Sequence, residues 1–100
     1  MATARREQDD ERLYRMLKAL GNPVRLQIVR LVQQRPRCIG NEILLHLPNE
    51  MARAQSTLSQ HLKVLTAAGL LEAECDGAAT CYAINQECVG WLREQLADLS

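Results

Sequence analysis

Leu13, Met16, Leu17 and Leu20 recur at i, i+3, i+4 and i+7, the spacing of one helical face, and predict a helix over about residues 8–20. Gly21 is expected to end it as a left-handed cap, and Asn22-Pro23 to open a second helix as N-cap and first-turn proline. The stripe of that second helix is Val24, Ile28, Leu31 and Val32, and Pro36 stops it. Arg37-Cys38-Ile39 reads as a short extended stretch before Gly40. A third helix from about Asn41 turns Ile43, Leu44 and Leu47 inward as far as Pro48. Asn49 to Arg53 makes a turn or ragged extension. A fourth helix then covers about Ala54 to Ala68, with Leu58, Leu62 and Leu65 on one face and Gly69 as its stop. Leu70 to Cys75 and Thr80 to Ile84 flank Asp76-Gly77, a strong turn dipeptide, and predict a β-hairpin. Asn85 caps a last helix whose seam is Val89, Leu92, Leu96 and Leu99.

The resulting order, ααβααββα, is mainly α with a minor β part: a three-helix core plus a hairpin wing at about 70–84, the winged helix-turn-helix. One hundred residues suit a single domain, 1–100, with residues 1–7 expected to fray as a mixed-charge leader. A content of 47% hydrophobic residues excludes disorder. The chain has no apolar run near the roughly 20 residues that span a membrane and no signal-peptide core, so it reads as soluble and cytoplasmic. So small a domain buries only a modest share of its surface. The paired seams Leu13, Met16, Leu17, Leu20 and Val89, Leu92, Leu96, Leu99 are therefore the expected interface of a homodimer.

Net charge is zero, but residues 1–63 hold eleven Lys and Arg against six acids, and the remainder holds Arg93 alone against six acids. Such asymmetry is consistent with one face presented to a polyanion, and equally with solvated helix faces. The fourth helix discriminates between them. Ser56, Gln60 and Lys63 fall at i, i+4 and i+7 on its face away from the leucines, with Thr57, Ser59 and His61 beside them and Gln55 at its start. An ordinary polar helix face mixes Glu with Lys, yet no acid occurs from Met51 through Leu71. Short donors and acceptors plus a cation are what a helix in the DNA major groove needs. Gln55, Ser56, Thr57, Ser59, Gln60, His61, Lys63 and Arg53 are the candidate DNA contacts, with Arg25 a further phosphate contact. An enzyme reading lacks a phosphate loop and a positioned acid, base or nucleophile. A winged helix used only for protein contact is the rival that the neutral charge favours and the polar helix face opposes.

The cysteines, Cys38, Cys75, Cys81 and Cys88, form no CxxC pair, and His46 and His61 lie far from any zinc-finger arrangement. By themselves they read as generic buried thiols.

Three stretches resemble the ArsR/SmtB winged-helix repressors of bacteria: Leu17 to Ile28, then Ala54 to Leu65 with Ala68-Gly69-Leu70-Leu71, and the wing Asp76-Gly77 with Cys81-Tyr82. The match over the fourth helix is highly specific, and the whole spans about residues 10–96. The resemblance implies a homodimer on a palindromic double-stranded DNA operator, released by As(III), another thiophilic metal ion or a thiol oxidant, with no organic cofactor and no membrane partner. The turn Asn49 to Arg53 is longer than the family's, and the wing tip Asp76 to Ala79 lacks its usual basic residue. Cys38 and Cys81 match the first cysteines of two pairs found in one subgroup, with Gly40 and Ala83 at the second positions. The family's strand pairing is expected to bring Cys38 towards Cys81. As(III) prefers three thiolates, so Cys75 or Cys88 is the alternative third ligand. The resemblance leaves thiol oxidation, or no small-molecule inducer, as the other possibilities. The last helix has no histidine, which argues against the family's other, His-carboxylate metal site.

Overall fold

A computed structural model describes residues 2–35, 38–47, 55–77 and 79–100. The elements run α1 (Ala2–Leu20), α2 (Pro23–Gln34), β1 (Cys38–Ile39), α3 (Gly40–His46), α4 (Gln55–Ala67), β2 (Leu71–Asp76), β3 (Ala79–Ile84) and α5 (Gln86–Ala97). This is the expected ααβααββα order. Pro36, Arg37, Pro48, the turn Asn49 to Arg53 and Ala78 lie outside the described residues.

Local chemistry sets most of the boundaries. The Asn22 side chain accepts from the backbone N–H of Val24 and Arg25, and Pro23 follows it, so α2 starts with two of its orphan donors satisfied. Asn85 does the same for α5 by accepting from Cys88 N–H at 3.1 Å. Gly69, at φ 86°, reverses the chain after α4, and Leu70 N–H reaches back to Leu65 O at 3.0 Å. Two expectations need correction. Gly21 closes α1 by donating to Leu17 O and Lys18 O but does not adopt positive φ. The helix itself begins at Ala2 rather than near residue 8. Residues 2–7 contain no Gly or Pro and continue the helix.

The three-stranded sheet has the order β1-β3-β2, antiparallel throughout. Leu71 pairs with Ile84, Ala73 with Tyr82 and Cys75 with Thr80, so those positions share one face, while Glu72, Glu74, Cys81 and Ala83 belong to the other. β1 runs directly into α3, with no residue between Ile39 and Gly40.

The core joins Met16 and Ala19 of α1, Ile28 and Val32 of α2, Ile43 of α3, Leu58, Leu62 and Leu65 of α4, Leu71 of β2 and Leu92 of α5 with Leu47 and Leu70. Met16 at 0% and Leu92 at 6% exposure are thus spent inside the protomer, not at the expected subunit seam. Leu13, Leu20 and Val89 are half-buried against that core. Tyr14, Leu17, Leu96 and Leu99 remain as the exposed apolar surface of α1 and the α5 end. The Arg12 guanidinium stacks 4.0 Å from the Trp91 ring centroid and joins the two helices. Among the described residues no helix is long and apolar enough to cross a membrane.

Candidate nucleic-acid interface

The leucine stripe of α4 fixes what the helix shows outward. Leu58, Leu62 and Leu65 are buried at i, i+4 and i+7, which turns Ser59, Gln60 and Lys63 to the exposed side. Position 56 shares that side by helical spacing, and position 55 opens the helix. Thr57 and His61 are half-buried at the flank. Arg53, the remaining expected contact, lies outside the described residues.

Arg25, expected as a phosphate contact, is also engaged inside the protomer. Its Nε donates to Ala19 O at 2.7 Å and its Nη1 lies 3.3 Å from His61 Nδ1. One guanidinium therefore ties the end of α1 and the start of α2 to the middle of α4. Burial, and then the Arg25 charge, lowers the His61 pKa from its ordinary 6.5. Both causes favour the neutral ring. Arg15, Lys18 and Arg25 line a groove of roughly 470 Å³ with Ala19, Val64, Ala67 and Ala68. Sequence reading missed the Arg25–His61 contact because the partners stand 36 residues apart. No local pattern announces such a pair.

The cysteines are spread through the fold. β1 does pair with β3, but in the register Cys38↔Tyr82 and Ile39↔Cys81. Opposed residues share a face and neighbours alternate, so positions 38 and 81 belong to opposite faces of the sheet. Cys75 is exposed on β2, its Sγ 3.9 Å from Thr80 Oγ1. Burial, and then the Cys75 charge, raises the pKa of Tyr82 above its ordinary 10.0. Cys88 sits in the first turn of α5, where its Sγ accepts from Arg12 Nη2 at 3.4 Å. Among the described residues no three His, Cys, Asp or Glu side chains are grouped to hold a metal ion.

A three-helix core, a β-hairpin wing and an acid-free polar face on the fourth helix define a winged helix-turn-helix domain of the kind used by transcriptional regulators. The chain belongs to the family described as bacterial regulatory protein, arsR family, which matches residues 22–73. It is 37% identical over 70 residues to the HTH-type transcriptional repressor SmtB of Mycobacterium tuberculosis, covering 69% of this chain and 47% of that one. The chain thus spans about half the length of that relative. A solution structure of the homodimeric winged helix-turn-helix DNA-binding domain of a possible ArsR-family regulator from Mycobacterium bovis superposes with a TM-score of 0.74 at 28% identity, over 95% of this chain and 83% of that one. A crystal structure of a "possible transcriptional regulator for arsenical resistance" gives 0.71 at 28% identity, over 84% and 82%. The family and these relatives are transcriptional regulators, not enzymes.

Proposed function

We propose that the protein is a homodimeric transcriptional repressor that inserts α4 of each protomer into the major groove of a palindromic duplex operator. The observation that carries this is the exposed Ser59, Gln60 and Lys63 surface, set opposite the buried Leu58, Leu62 and Leu65 stripe. The homodimeric Mycobacterium bovis domain supports the pairing of protomers. The apolar surface left by Tyr14, Leu17, Leu96 and Leu99 is where that pairing would form. The work of such a repressor is cytoplasmic. The test selects duplexes from a random-sequence pool and measures their retention by the protein against salt. A selected duplex bound no more tightly than a scrambled one would leave protein contact as the domain's use.

We further propose that thiol chemistry releases the operator, by one of two routes. As(III), or another thiophilic ion, held by Cys38 and Cys81 is supported by the β1–β3 pairing and the resemblance to arsenic-responsive relatives. The one-residue offset in register means that β1 must shift for positions 38 and 81 to share a face, and Cys75 belongs to the face opposite Cys81, which leaves Cys88 as the third ligand. Oxidation of individual thiols is the second route, and the dispersal of Cys75, Cys81 and Cys88 favours it, since single-thiol chemistry needs no cluster. Arsenite and peroxide titrations of the protein–duplex complex separate the two. Cys38→Ser and Cys81→Ser should each abolish arsenite release, and release that survives the double substitution would exclude this site.

A further inference from the structure

His61 is half-buried and lies against the Arg25 guanidinium, so the direction of that hydrogen bond can be assigned. A guanidinium donates and never accepts. With Arg25 Nη1 at 3.3 Å, His61 Nδ1 must therefore carry the lone pair, and the proton of the neutral ring sits on Nε2. Among the described residues no buried side-chain nitrogen or oxygen lacks a hydrogen-bond partner. Among the described residues His61 Nε2 has no hydrogen-bond partner, and the ring is only half-buried at the flank of the α4 surface. Arg25 is itself fixed, because its Nε is anchored 2.7 Å from Ala19 O, a carbonyl in the last turn of α1 that has no partner within its own helix.

We propose that Arg25 is a positioning residue that presents His61 to DNA as a neutral donor. Nδ1 is held inward, and Nε2–H points outward to an acceptor on the duplex, either a base-edge O or N7 in the major groove or a phosphate oxygen. This rests on α4 being the helix in the groove. It replaces the expectation that Arg25 itself grips a phosphate, since two of its donor groups face inward.

The physical consequence is selectivity. A cationic imidazolium would be attracted to every phosphate and would add sequence-independent, salt-sensitive affinity. A neutral ring with one proton rewards only a correctly placed acceptor. α1, α2, α3 and β2 pack against α4 and carry further charged or titratable groups, among them Arg15, Lys18, Arg30, Glu42, His46, Glu72, Glu74 and Cys75. Among the described residues Arg25 is the group whose charge lowers the pKa of the ring, after burial.

The test begins with the wild-type protein free of DNA. Long-range ¹H–¹⁵N NMR of the imidazole at pH 7 should show Nε2 protonated and Nδ1 bare, and a proton on Nδ1 would overturn the assignment. Arg25→Met should raise the His61 pKa toward 6.5, and an unchanged titration would remove Arg25 from the proposal. Binding is then measured on a duplex selected from a random pool by the wild type, and on its scrambled version. His61→Phe, which leaves the Arg25–Ala19 bond intact, should lose up to about tenfold in affinity, the scale of one hydrogen bond. Loss confined to the selected duplex identifies a base edge, and equal loss on both identifies a phosphate. His61→Gln, whose amide N–H₂ reproduces the outward donor, should recover most of the loss with an unchanged salt slope. A salt slope about one unit lower in His61→Gln at pH 7 would mean that the ring binds as a cation. Gln60→Ala serves as the reference. If it weakens binding and His61→Phe does not, this proposal fails and the groove reading stands. If neither weakens binding, the groove reading fails.

Discussion

Leu99→Glu is the decisive perturbation of the proposed dimer. Leu99 is 74% exposed and Leu96 42%, whereas Leu92, on the same helical seam, is 6% exposed. Fully burying a leucine side chain stabilises by about 1.5–3 kcal/mol. About three-quarters of that remains to be gained at Leu99, roughly 1–2 kcal/mol per protomer. A two-fold interface uses the residue twice, so roughly 2–4 kcal/mol of dimer affinity is at stake, about 30- to 1000-fold in dissociation constant. A carboxylate in its place adds a desolvation cost on top. Sedimentation velocity over a concentration series reads the shift, and a thermal melt of the same sample shows whether the protomer is intact. Leu92→Ala is the contrasting variant. It should cost about 2–5 kcal/mol of folding stability, because it opens a cavity in the core. A Leu99→Glu protein that dimerises with wild-type affinity would place the subunit contact elsewhere and refute the reasoning.

Gln60→Ala should cost about 1–3 kcal/mol on the selected duplex and relax its specificity, while Lys63→Ala should weaken selected and scrambled duplexes alike and lower the salt slope by about one unit; competition gel shifts at several salt concentrations distinguish the two. His61 has a folded pKa below its ordinary 6.5, so the unfolded chain binds more protons in the window just beneath 6.5, and stability should fall as pH drops through that window. Melting temperatures measured from pH 7.5 downward check this, and a His61→Gln profile as steep as the wild type would disprove it. Gly69→Ala should lose about 1–2 kcal/mol through the left-handed backbone alone, since its φ is 86° and the new Cβ meets Cys88 Sγ at 3.4 Å, ordinary contact. Chemical denaturation measures that loss, and unchanged stability would be the contrary result.

Periodicity made the element order legible, because each helix must show its apolar residues every third or fourth position and the hairpin needs its turn dipeptide. It could not say whose core an apolar residue joins. Met16 and Leu92 lie on the same seams as Leu17 and Leu99, yet the first two fill the protomer and the others remain outside it. The pairing of β1 with β3 was legible as topology, whereas its register was not. A shift of one residue, invisible to composition, decides whether two cysteines share a face. The outward side of α4 was readable from its leucine stripe and its lack of acids. The direction of the His61 hydrogen bond depends on a guanidinium delivered by a different helix, which only the fold supplies.

The direct passage from β1 to α3 constrains any ligand held by positions 38 and 81. Bringing both thiols to one ion requires β1 to advance by one residue, about 3.3 Å. A strand of two residues, Cys38 and Ile39, has little hydrogen bonding to hold its register. With no slack before Gly40, α3 must travel with it, and Ile43 is wedged at 1% exposure into the core it shares with Leu58 and Leu62 of α4. Arsenite affinity would then be paid partly in displaced packing, and the linkage runs both ways. DNA that clamps α4 resists the same displacement and must weaken arsenite binding by the factor by which arsenite weakens DNA, typically about 5- to 150-fold. A dissociation constant measured on the free protein would therefore overstate its sensitivity on the operator, where the signal has to be received.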